Sequence, residues 1–278
     1  MVWWQAVCLG GSFNFIKVRC AMAKKKAVNS RNKKPVVGEK AEKKPVKKPA
    51  KRIRNLPAKV MFRNREEMPK MDVRLSPTLS GCVVKLLPLC EDHIIGIEKA
   101  ARKASIFEFF VDGWLIIKHG VETYVFKLLE EQEKEDALAF AVRDAKNGRV
   151  LGVTRLYEVR KRDFKLKVAS WYSKDYHQTG VNAEAKYLLL RYVFEAMHCR
   201  RVQFDIDIEN KPSIRAIESI GAKREGIKEM DMMLANGRQR TSVIYSITED
   251  TWPDSRAKME RKLKRVYAKM GIQGAPFA

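Results

Sequence analysis

Residues 168–221 read VASWYSKDYHQTGVNAEAKYLLLRYVFEAMHCRRVQFDIDIENKPSIRAIESIG, and this stretch decides the fold. A β-forming run (168–172) leads into a polar turn around Gly180, and an amphipathic helical pattern follows. An alternating strand pattern (202–208) and a short helical segment that begins at Asn210 complete the stretch. A strand, a turn and a helix in this order leave backbone N–H groups free at the helix start. Such groups can bind an anion such as a pyrophosphate.

Capping residues define the two helices of this stretch. Thr179 and Asn182 are alternative N-caps for the central helix, which we expect to run to about His198. Asn210 is a natural N-cap for the second helix, and Gly221 stands where a glycine commonly ends one. The two helices are therefore predicted on either side of the strand 202–208.

The remainder of the chain has a globular pattern from about Val73 onward. We predict strands at 81–89, 137–143, 150–159, 164–172, 227–234 and 241–248, and helices at 91–103, 121–134 and 255–270. Residues 107–117 combine aromatic and β-forming side chains, and their pattern leaves helix and strand open. Together these elements predict a mixed α+β sheet protein.

The positive charge is concentrated in one part of the chain. The whole sequence of 278 residues has a formal net charge of +23. Residues 24–65 hold 17 Lys and Arg against 2 Asp and Glu, a net charge of +15, and the first 23 residues add +2. Residues 66–278 therefore carry only +6, so the globular part is mildly basic.

Residues 22–70 form a Lys/Pro-rich segment with few large apolar side chains. Such a segment cannot bury enough surface to offset its chain entropy, so we expect a disordered basic N-terminal tail. Within it, residues 23–65 have the charge density of the basic arms that contact RNA or a ribosome. A solubilising tail without a specific partner is the alternative.

Residues 1–21 are apolar but contain glycines, and they carry no charge before Lys17. This pattern does not fit a signal peptide, which begins with a positive region. Met22 starts the string MAKKK, an ordinary cytosolic N-terminus. Translation from Met1 and translation from Met22 both remain open, and in the second case residues 1–21 are an extension from a mis-annotated start.

Cysteine and histidine usage predicts a cytoplasmic protein without a metal. The cysteines are scattered, with no CxxC pair, at Cys8, Cys20, Cys82, Cys90 and Cys199. The four histidines form no HxxxH or HExxH pattern. This argues against a disulfide framework and a zinc site. No apolar run approaches the roughly 18–20 residues that span a bilayer, so we expect no membrane partner.

Several short strings continue from the central turn. They are GVNAEAKYLLL from Gly180, DIEN from Asp207, SxxAI from Ser213, GAxxEG from Gly221, NGR from Asn236 and YSI, then Trp252, from Tyr245. In order and spacing these strings resemble the GNAT superfamily of acetyl-CoA-dependent N-acetyltransferases, over roughly residues 79–253. The resemblance is closest to the branch that includes the ribosomal-protein N-terminal alanine acetyltransferases. It implies an α+β (mixed α/β) fold with a GNAT-like central, mostly antiparallel twisted sheet flanked by helices.

The resemblance also implies a coenzyme A site at the central turn. The family wraps this turn around the pyrophosphate with a Gln/Arg-x-x-Gly-x-Gly/Ala pattern. Gly180 matches, and a glycine lets the backbone approach phosphates without a Cβ clash. His177 and Asn182 differ from the pattern, so His177 is either a phosphate contact or a surface loop residue. Tyr172 is implied to bind the pantetheine amides through its backbone. The implied cofactor-binding residues are Tyr172, His177, Gln178, Thr179, Gly180, Val181, Asn182, Asn210 and Ser213.

Two catalytic residues follow from the same resemblance. Many family members have a tyrosine seven residues beyond the Asn, where this chain has Ile217. The branch that it resembles has a serine three residues beyond the Asn, which matches Ser213. Ser213 is then implied to donate a hydrogen bond to the leaving thiolate, and Asn210 to orient groups near the pantetheine arm. Helix capping is the alternative role for both.

The sequence does not identify the general base. Glu184 and Glu195 lie on the central helix, where a solvated or paired carboxylate is expected. Glu225 is a weaker candidate. Trp171 and Trp252 are expected in the core.

The predicted function is acetyl transfer from acetyl-CoA to an amine by direct attack in a ternary complex. The acceptor is either a protein, through its N-terminus or a lysine, or a small molecule. The alternative is a catalytically weak GNAT-like domain that binds RNA or a ribosome through its tail. Residues 71–253 form the predicted N-acetyltransferase domain, and residues 254–278 a charged C-terminal helix or tail.

Overall fold

A computed structural model describes residues 3–9, 12–18, 71 and 76–272. The segment 22–70, for which the sequence predicts disorder, lies outside these residues.

Two strands near the N-terminus pair with each other. Strands β1 (Trp3–Leu9) and β2 (Ser12–Val18) are antiparallel, with Trp3 opposite Val18. Residues 10 and 11, between the two strands, are outside the described residues.

The chain divides into two compact units, residues 1–60 and 61–278. The second unit contains an eight-stranded sheet in the order β3-β4-β5-β6-β7-β8-β10-β9. Its strands are β3 (Leu79–Ser80), β4 (Val84–Pro88), β5 (Leu138–Asp144), β6 (Val150–Arg160), β7 (Lys165–Tyr172), β8 (Arg201–Asp207), β9 (Lys223–Met233) and β10 (Gln239–Thr248). Within this sheet all neighbours are antiparallel except β7 and β8. The mostly antiparallel α+β fold predicted from the sequence is confirmed.

Helices cover both faces of the sheet. They are α1 (Ile94–Ala100), α2 (Gly113–Glu133), α3 (Val181–Arg191), α4 (Lys211–Ser219) and α5 (Trp252–Lys269), and a π turn (Tyr192–Ala196) extends α3. Side chains of α1 and α2 share one core cluster, and side chains of α3, α4 and α5 share the other. No helix in residues 76–272 has the length and hydropathy of a bilayer-spanning segment.

Alternation along β8 shows why two faces form. Val202, Phe204 and Ile206 are buried in the core that includes α3 and α5. Arg201 and Asp205 lie on the opposite face, because successive side chains of a strand point to opposite sides of a sheet. This half of the opposite face is polar. The half that includes β5 and β6 packs against α1 and α2.

Helix α2 is interrupted at Gly120, whose φ of +85° and ψ of +169° are not helical. The segment after this break begins at Val121, as the sequence predicts. The ambiguous run 107–117 contains the end of a 3₁₀ turn, a short non-helical turn and the first residues of a helical segment, 113–119, that precedes the break. Leu115 and Ile116 are buried in the core with α1. Tertiary burial thus outweighs the β propensity of these residues.

Helix α5 belongs to the core, although its sequence is strongly charged. The predicted helix is confirmed, and it begins at Trp252 instead of residue 255. Met259, Leu263 and Tyr267 are buried in the cluster that also holds α3 side chains. A single narrow apolar stripe therefore attaches an otherwise charged helix to the domain.

Candidate functional site

A wedge-shaped opening lies between the two parallel strands. β7 and β8 pair only over residues 165–167 and 201–203. Beyond this point β7 stays paired with β6 as far as Tyr172, and β8 stays paired with β10 as far as Asp207. The sheet therefore splits toward the carboxyl ends of β7 and β8. The edges of the opening are unpaired backbone, which can bind an extended ligand through its amides.

The loop after β7 lies at the wide end of this wedge. Gln178 and Gly180 adopt left-handed backbone conformations, with φ of +63° and +94°. The backbone N–H groups of residues 178–180 donate to no described acceptor. Successive free N–H groups in such a turn, directly before a helix, form an anion site.

Gly180 itself is the N-cap residue of α3, and no side chain caps this helix. The prediction that Thr179 or Asn182 is the N-cap is therefore wrong. The Thr179 hydroxyl instead donates to the Tyr176 carbonyl oxygen at 2.7 Å, and Asn182 lies inside the first turn of α3. The chain must turn sharply into α3, and a left-handed glycine allows this turn where a capping side chain does not.

The conformation and the surroundings of Gly180 both require glycine. A Cβ at this position would lie 2.5 Å from Cγ1 of Val266 on α5. The next residue, Val181, is buried. Helix α5 therefore packs directly against the loop and holds it in place.

The imidazole of His177, in the loop after β7, is turned back toward the end of that strand. Its Nε2 donates to the Tyr172 carbonyl oxygen at 3.1 Å, since a carbonyl can only accept. The imidazole thus closes the loop between β7 and α3. Tyr172 is buried, and burial raises the pKa of its hydroxyl to about 12. The structure therefore gives His177 a contact that holds the loop.

Asn210 and Ser213 lie at the start of α4. The Asn210 Oδ1 accepts a hydrogen bond from the Ser213 backbone N–H at 3.1 Å, so the predicted N-cap is confirmed. The Ser213 hydroxyl is half-buried and has no partner among the described residues. Ile217, at the position of the family's tyrosine, is buried in the core and offers no proton donor.

Glu184 is a structural residue that the sequence does not reveal. Its carboxylate is fully buried and accepts the backbone N–H groups of residues 82–84, at 2.6–2.9 Å. It also accepts from the Tyr267 hydroxyl of α5. These partners lie 83 to 102 residues away in sequence, so local spacing carries no signal of them.

The other two carboxylates considered as bases are engaged in ion pairs. Glu195 bonds to Arg191 and Arg256. Glu225 bonds to Arg201, and this hydrogen bond holds the pKa of the carboxyl below its usual value. A general base for an amine at neutral pH needs the opposite shift, so this environment disfavours Glu225 in that role.

The sheet face opposite α3 carries a polar cluster near the end of β8. Asp207 is buried, and its Oδ2 accepts from Arg238 at 2.5 Å. The Arg238 guanidinium lies 5.9 Å from the ring centre of Phe109. The segment before α2 and the turn between β9 and β10 therefore meet at this point. Asp207 and Arg238 belong to the strings DIEN and NGR, but the spacing of these strings gives no signal that the two side chains meet.

The turn and the wedge together fit acetyl-CoA. Free N–H groups at a helix start suit a diphosphate, and the gap between β7 and β8 suits an extended arm with amide groups. A Cβ at Gly180 would fill part of the turn. In residues 76–272 no group of three His, Cys, Asp or Glu side chains is arranged to hold a metal ion.

Comparison with known proteins gives a matching family model and related acetyltransferases. Residues 84–223 match the family model of the acetyltransferase (GNAT) domain. YdaF of Bacillus subtilis (strain 168), provisionally named a ribosomal N-acetyltransferase, is 27% identical over 106 residues. That alignment covers 38% of this chain and 57% of YdaF, so it spans little more than half of that protein.

Solved structures share the fold. A GCN5-related N-acetyltransferase from Brucella melitensis superposes with a TM-score of 0.62 at 22% identity, covering 70% of this chain and 89% of its own. Mycobacterium smegmatis RimJ, solved with CoA-disulfide, gives 0.57 at 19% identity, covering 68% and 92%. Because the family model matches half of the sequence, from β4 to the start of β9, the chain belongs to the GNAT family of acetyltransferase domains.

Proposed function

We propose that this protein transfers an acetyl group from acetyl-CoA to an amine of a protein, an N-terminus or a lysine, by direct attack in a ternary complex. The observation that carries the proposal is the wedge between β7 and β8 below a turn with free N–H groups. Family membership supports the acetyl donor.

The backbone does most of the cofactor binding in this proposal. The N–H groups of residues 178–180 and the start of α3 bind the diphosphate. The freed edge of β7, up to Tyr172, binds the amides of the pantetheine arm. Gln178, Thr179, Val181 and Asn182 serve through their backbone. His177 acts indirectly, because its ring holds the Tyr172 carbonyl.

Acetyl-CoA supplies the activated acetyl group when it is bound. Ser213 donates a hydrogen bond to the leaving thiolate, and its hydroxyl is suited to this because no described residue occupies it. Asn210 caps α4 and so fixes where that hydroxyl lies. Asn210 is therefore a positioning residue, and Ser213 is the group that meets the sulfur.

The acceptor amine enters from the face opposite α3. Helix α3 and its loop cover the sheet on one side of the wedge, whereas the partly exposed Arg238 and Phe109 lie on the other side near the end of β8, where a second substrate can approach. A protein acceptor is favoured by the ribosomal name of YdaF and by the basic segment 23–65, which suits delivery to a ribosome or another RNA-containing assembly. A small-molecule amine is the second candidate.

A panel of acceptors tests the proposal. Purified protein is mixed with acetyl-CoA and with ribosomal proteins, N-terminal peptides, lysine peptides or small amines, and release of the CoA thiol is followed. We expect release with at least one protein or peptide acceptor. If the CoA thiol were released only with small amines, the proposal that the acceptor is a protein would be wrong. No release with any acceptor would favour a GNAT-like domain that binds RNA without catalysis.

A further inference from the structure

Lys186 of α3 points into the region of the wedge. Its ammonium lies 5.4 Å from the ring centre of Phe204 on β8. Phe204 is the first residue of β8 beyond the part that pairs with β7. Lys186 also lies one helical turn after Asn182, so both side chains share the face of α3 that looks toward β8. A basic side chain thus stands beside the gap below the proposed phosphate turn.

No carboxylate neutralises this ammonium among the described residues. The charged groups around it are directed elsewhere: Glu184 to the amides of residues 82–84, Arg191 to Glu195, and Arg256 to Glu260 of α5. Asp205 of β8 lies on the other face of the sheet, where Lys167 and Lys228 pair with it. On α4, Lys211 and Arg215 are exposed. Among the described residues the ammonium has no hydrogen bond or ion pair, and the ring of Phe204 is its cation–π partner.

Burial of the amine has a physical consequence. Loss of solvent lowers the pKa of Lys186 to about 8, with no opposing charge to raise it. A partly buried cation that has only an aromatic ring as partner is costly to retain in a stable fold. A ligand that brings oxygen acceptors into the wedge would relieve this cost.

We propose that the Lys186 ammonium binds an oxygen of coenzyme A, either a phosphate oxygen or a carbonyl oxygen of the pantetheine arm. The inference rests on the proposed function and adds a side-chain contact to a site otherwise built from backbone. Lys186 is then a cation that complements the diphosphate or the arm. The loop from Ser173 to Gly180 contains no arginine, and its one lysine, Lys174, is exposed.

The proposal makes cofactor binding dependent on pH. A bound oxygen acceptor favours the ammonium and raises the pKa of Lys186 above its value of about 8 in the free protein. The contribution is therefore complete below pH 8 and is lost as pH rises from about 8 through the higher pKa of the complex. One proton is linked, so affinity falls by at most about tenfold for each pH unit in that window.

The test is equilibrium binding of S-methyl-coenzyme A, which has no titrating thiol, to the full chain across this pH range. Lys186→Met should bind about ten- to hundredfold more weakly at neutral pH, because a hydrogen bond to a charged group is lost. It should also lose the pH dependence. Lys186→Arg should retain affinity at high pH, since a guanidinium stays charged.

Two controls separate binding from structure. Arg191→Met removes a cation from the same helix and should leave the affinity for S-methyl-coenzyme A unchanged. Denaturant unfolding of Lys186→Met should show no loss of stability, because an apolar side chain of similar length replaces a desolvated amine. Equal affinity and equal pH dependence of Lys186→Met and the wild type would overturn the inference.

Fragments of the cofactor identify the oxygen. If Lys186→Met weakens binding of ADP, the partner is a phosphate; if it weakens binding of pantetheine, the partner is on the arm. Either result supports the inference. If Lys186→Met binds both ADP and pantetheine as tightly as the wild type does, the inference is contradicted. Failure of the wild type to bind any of these ligands would instead refute the coenzyme A site itself, so the two failures are distinguishable.

Discussion

Two separate constraints require a glycine at position 180. Its φ of +94° belongs to the left-handed region, and the space for a side chain is already taken by Val266 of α5. Its N–H is among those left free for an anion. The residue therefore connects a local conformation, a helix contact and the proposed phosphate site.

Substitution of Gly180 by alanine should affect both stability and binding. The left-handed conformation costs an L-residue about 1–2 kcal/mol, and the contact with Val266 adds to this. Chemical denaturation should show a loss of about 2 kcal/mol or more, and acetyl-CoA affinity should fall as the loop shifts. Gly237→Ala is the matched control, because Gly237 has φ of +80° but open space around it. A loss of stability no larger than that of Gly237→Ala would show that the Val266 contact is unimportant.

Ser213→Ala should separate catalysis from capping. The cap uses the backbone N–H of residue 213, which alanine retains, so stability should change little. Turnover should fall by about 10²-fold if the hydroxyl assists the leaving thiolate, with acetyl-CoA affinity unchanged. Ser213→Thr keeps the hydroxyl and should recover much of the rate. Undiminished turnover of Ser213→Ala would show that Ser213 only contributes to the cap.

The sequence predicts some site residues and not others, and the distance of their partners explains the difference. Asn210 and its partner Ser213 are three residues apart, so the cap is visible in the sequence. Glu184 and Lys186 depend on residues of other strands and helices. Spacing along a helix cannot reveal such contacts. The roles of the predicted cofactor residues stay predictions.

At the scale of elements, helix α5 contacts α3 and holds it in position. The Tyr267 hydroxyl reaches Glu184, Val266 contacts Gly180, and Tyr187 of α3 donates to Glu260 at 2.9 Å. These contacts lie at the N-cap and in the first two turns of α3. A stable α5 therefore keeps the start of α3, with its free N–H groups, at a fixed place.

Leu263→Ala tests whether α5 is part of the core. Leu263 is fully buried, so its truncation should destabilise the protein by about 2–5 kcal/mol through lost burial and a cavity. Unfolding in urea measures the change. Arg261→Ala, an exposed position two residues earlier, should change stability by about 0.5 kcal/mol or less. Similar small losses in both variants would mean that α5 is only loosely attached.

Element boundaries show where sequence patterns fail. The pattern predicts the order of strands and helices from residue 81 onward, because apolar alternation and helical spacing are local. It leaves the run 107–117 open between helix and strand, and Leu115 and Ile116 of that run are helical because they pack against neighbouring elements. It also misplaces the cap of α3, since the turn geometry and not a side chain sets the start of that helix.

At the scale of the whole molecule, the positive charge is concentrated in one segment of the sequence. Residues 24–65 carry +15, whereas residues 66–278 carry +6. Dense positive charge binds phosphates by releasing counterions, which makes the association salt-dependent. The wedge between β7 and β8 needs none of this charge.

Deletion of residues 1–60 should therefore leave acetyl-CoA affinity unchanged and weaken RNA association. The full chain should lose RNA affinity steeply as salt rises, and the shortened chain should show a smaller slope. Binding to an RNA of defined length at several salt concentrations measures this. A shortened chain that binds RNA equally well would place that interaction in the folded domain.

The central claim is that the wedge and the Gly180 turn bind acetyl-CoA. Isothermal titration calorimetry of acetyl-CoA into the full chain tests it most directly, with Gly180→Ala as a second titration. We predict saturable binding of one acetyl-CoA per chain and weaker binding by Gly180→Ala. Absence of binding by the wild type at millimolar acetyl-CoA, or equal binding by the variant, would contradict it.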